Sequence, residues 1–401
     1  MTSPDRSLDL APASVTDYRE RARRRLPRQL FDYIDGGAYA EHSMADNTAA
    51  LARIRLRQRV LRDVSHVDLG TRVLGEQLSL PVALAPVGLA GMFARRAEVQ
   101  AARAAERAGV PFCESTVSIC SVEEVAAASS RPPWFQLYVM RDRAYAESLM
   151  QRALAAGCEV LLLTVDLPVV GARYRDPRNG VGADLPLTGR LASAWDVLSH
   201  TGWVVDVPLR GRPLTFGNLE QAVPNARTPG KFRAWVDSQW DASVTWDDLR
   251  WVRDHWKGKL VLKGILDVDD AERAAAEGVD GIVVSNHGGR QLDDVPATAD
   301  VLGPIATRVG GRLEVLVDGG VRSGLDVLKM LALGARACLI GRPWAYAAAA
   351  AGEAGVQHVL DIIAQEMQVA MALTAHTRVE QLTPEALVPA GVSAPADGPA
   401  R

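Results

Sequence analysis

Cysteine is scarce. Four residues in 401, Cys113, Cys120, Cys158 and Cys338, lie too far apart for a CxxC pair or a disulfide framework, so they read as reduced core thiols. Charge of one sign is missing too. With 45 Lys and Arg against 48 Asp and Glu, the net charge of -3 gives no basic field of the kind that nucleic-acid binding favours, and no nucleic-acid partner is expected. No uninterrupted run of about 18 apolar residues occurs, which removes a spanning helix. The opening residues lack a basic segment followed by an apolar one, so the expectation is a cytoplasmic protein. No His/Asp/Glu cluster has metal-ligand spacing, and no metal is expected.

What is abundant is hydrophobic residues, 48% of the chain, arranged from about position 82 to 340 as short β-branched runs alternating with longer amphipathic ones. Strand-like runs fall at 81–86, 111–115, 134–139, 160–166, 260–263, 281–285, 314–318 and 337–341. Helical stretches at 97–108, 121–128, 143–156 and 268–277 lie between them, several opening on a capping-type residue. Eight strands and their helices predict an α/β fold, a closed (β/α)8 TIM barrel, with 1–401 forming a single domain.

Residues 1–80, with Arg-rich helices and a turn at Asp35-Gly36-Gly37, predict an N-terminal helical extension that covers the barrel's N-terminal end or lids one side. Residues 81–350 would hold the barrel, 351–387 C-terminal helices, and the Ala- and Pro-rich 388–401 a disordered tail. After strand four the rhythm stops for about 75 residues, far beyond a usual βα loop. This long insertion, about 176–244, carries Trp195, Trp203, Trp235 and Trp240 and leaves the barrel on the face where active sites lie. It reads equally as a substrate lid, a membrane-touching patch or a loop with a local tryptophan cluster.

Residues capable of chemistry gather at the C-terminal ends of the strands. After strand six comes Ser285-Asn286-His287-Gly288-Gly289-Arg290-Gln291, where paired glycines permit close approach of a flat ligand and Arg290 offers a fork for a carboxylate. Asp318-Gly319-Gly320-Val321-Arg322 after strand seven and Gly341-Arg342 after strand eight occupy the loops that bind phosphate in such barrels. Lys263 at the end of strand five needs an anionic partner if buried. Asp166 is either the partner of His287 or a cap on its own loop, and Arg173 is either a second carboxylate clamp or a surface charge.

These motifs, with Phe135-Gln136-Leu137-Tyr138 and Leu163-Thr164-Val165-Asp166, resemble those of the FMN-dependent L-2-hydroxy acid oxidase and dehydrogenase family over nearly the whole chain. Asp35-Gly36-Gly37-Ala38-Tyr39 and Gly171-Ala172-Arg173-Tyr174-Arg175-Asp176 look most like the bacterial respiratory L-lactate dehydrogenases. The resemblance implies FMN as cofactor and His287 as catalytic base oriented by Asp166. It implies Arg173 and Arg290 on the substrate carboxylate with Tyr33 helping, Tyr138 near the reacting hydroxyl, and Lys263 beside the flavin N1 edge. Ala85, Pro86, Val87, Ser115, Gln136 and Thr164 would line the ring. Ser285 belongs to the same cofactor set, and Asp318, Gly320, Arg322, Gly341 and Arg342 would hold ribityl and phosphate.

The activity implied is oxidation of a small L-2-hydroxy acid, L-lactate first, to the 2-keto acid. Gly88 falls where family oxidases tend to carry Ala, which favours a quinone-type acceptor over oxygen. Val117 and Val170 shape a pocket that admits lactate without excluding the aromatic mandelate. A tetramer, and peripheral docking on the cytoplasmic face of the inner membrane through the insertion, are further implications. Three rival readings are an oxygen-reducing oxidase, a silent phosphate-binding barrel, and an aldolase or isomerase using Lys263 as a Schiff-base nucleophile.

Overall fold

Each β-branched run becomes a strand. A computed structural model describes residues 11–180, 185–222 and 238–388. Its strands are β1 (Val82–Leu84), β2 (Cys113–Ser115), β3 (Trp134–Tyr138), β4 (Val160–Thr164), β5 (Lys259–Ile265), β6 (Gly281–Val284), β7 (Glu314–Val317) and β8 (Ala337–Ile340). All pair in parallel with their chain neighbours, and β8 returns to β1. Between β1 and β2 the barrel closes through a Leu84–Phe112 bridge and a 2.9 Å bond from the Leu84 amide to the Pro111 carbonyl. The chain therefore folds as the expected (β/α)8 barrel.

Alternation along each strand divides the core in two. Inward residues Ala83, Cys113, Trp134, Val160, Leu162, Val261, Val283, Leu316 and Leu339 fill the barrel. Outward ones such as Leu84, Phe135, Leu161, Leu262 and Val284 meet the surrounding helices. Helices start where a short polar side chain satisfies a first-turn amide: Ser121 receives the Glu124 N–H, and Ser323 the Asp326 N–H. The four cysteines are buried free thiols, as expected.

The N-terminal extension splits its expected roles. A hairpin, Thr71–Val73 with Glu76–Leu78, plugs the N-terminal end by seating Val73, Leu74 and Leu78 against Ala83, Cys113 and Trp134. Helix α1 (Val15–Arg25) packs on the helices that follow β8, α2 (Arg28–Asp35) lies at the opposite mouth, and α3 (His42–Arg53) packs on the helix Thr298–Val309. The apolar side of α2 (Leu30, Phe31, Ile34) is buried, and Leu30, Tyr33 and Ile34 reach the cavity at the opposite, C-terminal mouth. The span Arg342–Leu373 is two helices that meet at a kink, Ala351 and Gly352 having non-helical backbone. The expected disordered tail, apart from Val388, lies outside the described residues, as do Trp235 and residues 181–184 and 223–237 of the insertion.

One outward position breaks the apolar rule. Glu114 on β2 is fully buried, and neither carboxyl oxygen has a hydrogen-bond partner among the described residues. Its neighbour Glu98, equally buried, accepts bonds from the Gly91 and Ile119 amides, both at 2.9 Å. Burial first, and then the charge of Glu98, push the Glu114 carboxyl well above its ordinary range. Glu114 is thus neutral in the fold but ionises in the unfolded chain above about pH 4.5, so stability falls by up to about 1.4 kcal/mol per pH unit from there to its native pKa. Glu114→Gln should melt higher than the parent at pH 8, with the gap narrowing toward pH 5 in thermal melts of the holoenzyme. A gap independent of pH would contradict this.

Candidate active site

Two residues beyond each inward core position, the strand reaches the barrel mouth. One residue per strand stands there: Ala85 after Ala83, Ser115 after Cys113, Gln136 after Trp134, Thr164 after Leu162, Lys263 after Val261, Ser285 after Val283, Asp318 after Leu316 and Gly341 after Leu339. Most are polar, and Ala85, Gln136, Thr164, Lys263, Asp318 and Gly341 form the floor of a cavity of about 530 Å³. Tyr138, two further along β3, rises from the floor into the same cavity.

On the floor, Lys263 Nζ lies 2.8 Å from Asp318 Oδ2 and donates to Ser285 Oγ at 3.0 Å. Burial alone would lower the ammonium, but Asp318 and Asp166 outweigh it and raise its pKa, so Lys263 stays charged. A protonated, ion-paired lysine is the reverse of what a Schiff-base nucleophile needs, and the aldolase reading loses its key residue. Ser115 Oγ donates to Gln136 Oε1 at 3.1 Å, which leaves Gln136 Nε2 buried without a partner. Asp318 Oδ1 is likewise unpartnered among the described residues. An orphaned donor and an orphaned acceptor on one floor call for a ligand carrying both complementary groups.

The His287 loop owes its shape to its glycines. His287, Gly288 and Gly289 have φ of 56°, 64° and 72°, three successive left-handed residues. A Cβ on Gly289 would lie 2.5 Å from the Met44 amide nitrogen, so only glycine allows α3 this close. The turn aims His287 back over β4, where its Nδ1 meets Asp166 Oδ1 at 3.0 Å and Oδ2 at 3.2 Å. Gly264, at φ 113°, makes room: a Cβ there would sit 2.6 Å from that of Asp166. Burial would push Asp166 up, yet His287 and then Lys263 prevail and hold its carboxyl below the usual range. Of the two readings of Asp166, the partner of His287 is the one formed.

Three arginines ring the mouth. Arg290 Nη1 donates to the carbonyls of Tyr33 and Gly36, each at 2.7 Å. Arg342 donates to those of Ile34 (3.1 Å), Gly36 (2.9 Å) and Gly288 (2.9 Å). The C-terminal end of α2, with its partial negative charge and free carbonyls, therefore holds both side chains. Arg322 bonds its own loop at Val321 O, 2.8 Å away. None of these three has a carboxylate partner among the described residues. Loss of bulk water and, next, the charge of Arg173 pull Arg290 down to about 9, while Arg342 falls to about 10 through burial and Arg322. Arg173 and Arg290 stand over the Tyr33 ring, 6.0 and 5.0 Å from its centroid. A cationic mouth of this kind is built for anions.

The expected site residues converge. Tyr33, Ala85, Pro86, Val87, Gln136, Tyr138, Thr164, Arg173, Lys263, His287, Arg290, Asp318, Gly320, Arg322, Gly341 and Arg342 all border the cavity. Ser115, Ser285 and Asp166 do not; they stand one bond behind, orienting Gln136, Lys263 and His287. The α2 carbonyls escaped the sequence reading, since nothing local marks them. So did Asp35, which ties α1, Arg175 and Tyr346 together through Arg19 Nε (2.6 Å), Arg175 Nη1 (3.0 Å) and Tyr346 Oη (2.8 Å) and is held at a pKa of about 2. The Asp-Gly-Gly turn signal was its only trace.

The site suits a flat, phosphorylated cofactor. Gln136 Nε2 offers a donor and Asp318 Oδ1 an acceptor, and Arg322, Arg342 and the helix N-terminus that opens at Arg342 could hold a phosphate. A family model described as FMN-dependent dehydrogenase matches residues 22–389. An L-lactate dehydrogenase of Caulobacter vibrioides is 59% identical over 362 residues, 90% of this chain and 94% of that protein. One from Pseudomonas syringae pv. syringae is 51% identical over 378 residues, covering 94% and 99%. Among solved structures, a mandelate oxidase matches with TM-score 0.80 at 40% identity over 94% of this chain and 98% of that one. A monotopic membrane protein, (S)-mandelate dehydrogenase, matches with TM-score 0.87 at 36% identity over 94% and 99%. With the barrel, the anion-seeking mouth and these matches together, the chain belongs to the FMN-dependent dehydrogenase family, as its motifs implied.

Proposed function

We propose that this chain oxidises L-lactate to pyruvate with FMN and delivers the electrons to a quinone-type acceptor at a membrane surface. The observation that carries the substrate is the near full-length identity of 51–59% to L-lactate dehydrogenases of several bacteria, against 36–40% to the mandelate enzymes.

FMN supplies the two-electron acceptor. The chain's residues supply the rest. Arg290 and Arg173, flanking Tyr33, take the substrate carboxylate, whose charge answers the anion demand that lowers Arg290. His287, with Nδ1 committed to Asp166, presents Nε2 to the cavity and accepts the C2 hydroxyl proton. Asp166, held ionised, stabilises the resulting imidazolium. Tyr138 keeps its phenol proton, because burial and then Asp166 raise its pKa, and so donates to the reacting oxygen. Lys263, kept charged by Asp318, would supply the cation that offsets negative charge on the bound cofactor. His287→Gln should retain FMN, seen in the visible spectrum, yet slow flavin reduction by L-lactate about 10²–10⁴-fold. Parent-like reduction would remove His287 as the base.

Gly88 supports an acceptor other than oxygen, in keeping with the family's dehydrogenases, and a Cβ there would press on Val117 Cγ2 at 2.7 Å. The insertion supports the membrane. On helix Leu187–Ser199, Leu187, Leu191, Trp195 and Leu198 follow i, i+4, i+8, i+11 and are 73%, 62%, 74% and 62% exposed, an apolar stripe without cover among the described residues. No described helix is long and apolar enough to cross a bilayer, so the contact proposed is interfacial. Leu191→Asp with Trp195→Asp should abolish cosedimentation with phosphatidylethanolamine/phosphatidylglycerol vesicles while flavin reduction by L-lactate stays at the parent rate. Unchanged cosedimentation would refute the docking face.

A further inference from the structure

Tryptophan 240 enters the cavity from the far end of the insertion, and the reaction as derived above gives it no task. Its placement is firm. Trp240 pairs with Met140 in an antiparallel bridge, just past the end of β3. The Arg141 amide donates to Gln239 O at 3.0 Å and Arg141 Nε to Trp240 O at 2.9 Å, so the backbone is clasped on both sides. The next residue is pinned as well, Asp241 Oδ2 lying 2.8 Å from Arg143 Nη2, which also binds Asp248 Oδ1 at 2.9 Å. The returning insertion is thus stitched to the segment that follows Tyr138.

The side chain meets Tyr138 edge-on, with centroids 4.9 Å apart and planes at 82°. Its Nε1 is buried without a partner among the described residues, so what the half-buried indole shows the cavity is hydrocarbon. The same cavity has further apolar lining: Val117 from the loop after β2, Leu167 and Val170 from the loop after β4, and Phe216 from the insertion. The carboxylate clamps Arg173 and Arg290 and the base His287 are the polar counterpart of this wall. A 2-hydroxy acid held by its carboxylate and hydroxyl has one group left to meet the apolar wall, the substituent on C2. Trp240 is the largest side chain on that wall, and it is placed by backbone pairing that a bulky ligand cannot easily push aside.

We infer that Trp240 is a specificity-determining residue that sets the upper size limit of the substrate's C2 substituent, admitting a methyl and resisting a phenyl. This rests on the reading of the cavity as a 2-hydroxy acid site. Truncating Trp240 vacates more volume than a change at Val117 or Val170 can. Differences of one methylene in such pockets shift kcat/KM about 10–200-fold, so ring-sized differences exceed the lower end of that range.

The test is anaerobic flavin reduction by L-lactate, L-2-hydroxybutyrate and L-mandelate in FMN-loaded parent, Trp240→Ala and Trp240→Phe. The expected result is a rise of about 10-fold or more in the mandelate-to-lactate ratio of kcat/KM for Trp240→Ala, with 2-hydroxybutyrate between them. Trp240→Phe, which keeps an aromatic edge against Tyr138, should shift the ratio less and serves as the second variant if the alanine protein fails to hold FMN. If Trp240 only buttresses Tyr138, both variants lose kcat on every substrate alike and the ratio stays put, which would overturn the inference. A parent protein that no 2-hydroxy acid reduces would instead defeat the reading of the site itself, so the two failures are told apart.

Discussion

Lys263, Arg290, Arg322 and Arg342 surround one cavity, yet among the described residues only Lys263 has a carboxylate in contact, Asp318 at 2.8 Å. Bringing so much like charge out of bulk water is unfavourable unless dipoles and anions compensate it. The protein supplies the dipoles. The carbonyls at the end of α2 face Arg290 and Arg342, and Asp35, the last residue of that helix, is bonded by Arg19, Arg175 and Tyr346. The anions must come from the ligands, a cofactor phosphate on the Arg322 and Arg342 side and a substrate carboxylate on the Arg290 and Arg173 side. Much of the N-terminal extension is the device that makes this concentration of charge tolerable. Its α2 crosses the mouth, its α3 takes the space left by Gly289, and its hairpin plugs the other end.

The same constraint couples recognition to catalysis. Gly36 O accepts from both Arg290 and Arg342, so substrate clamp and phosphate cradle share one anchor. Ser285 Oγ accepts from Lys263 Nζ and from the His287 amide, both at 3.0 Å, which ties the cation beside the cofactor to the loop that carries the base.

Much of this was legible in the sequence because strands have a period of two. Once the strands are placed, stepping two residues past Trp134, Val261 or Leu316 gives Gln136, Lys263 and Asp318, and the floor follows. The glycine run after His287 likewise declared a turn that few other residues adopt. What escaped depends on contacts far apart in sequence. Tyr33 O meets Arg290 across 257 residues, and no local pattern marks a carbonyl as a partner. The helices of the extension were expected at the N-terminal end or one side, but only the hairpin took the N-terminal end. Glu114 escaped for a different reason: an acidic residue in a three-residue strand contradicts the apolar outward rule, and only the fold shows it fully buried beside Glu98. Ser115, Ser285 and Asp166, which the sequence placed in the site, touch the cavity only through a neighbour.

The central claim is that this charged mouth exists to seat FMN and a small L-2-hydroxy acid together. The most direct measurement is anaerobic mixing of the purified holoprotein with L-lactate while the flavin absorbance is followed, with oxygen or a quinone analogue admitted afterwards. Rapid bleaching by L-lactate, then slow recovery with oxygen and fast recovery with the quinone, is the result the account predicts. A colourless protein, or a yellow one that L-lactate, L-mandelate and glycolate all leave oxidised, would contradict it.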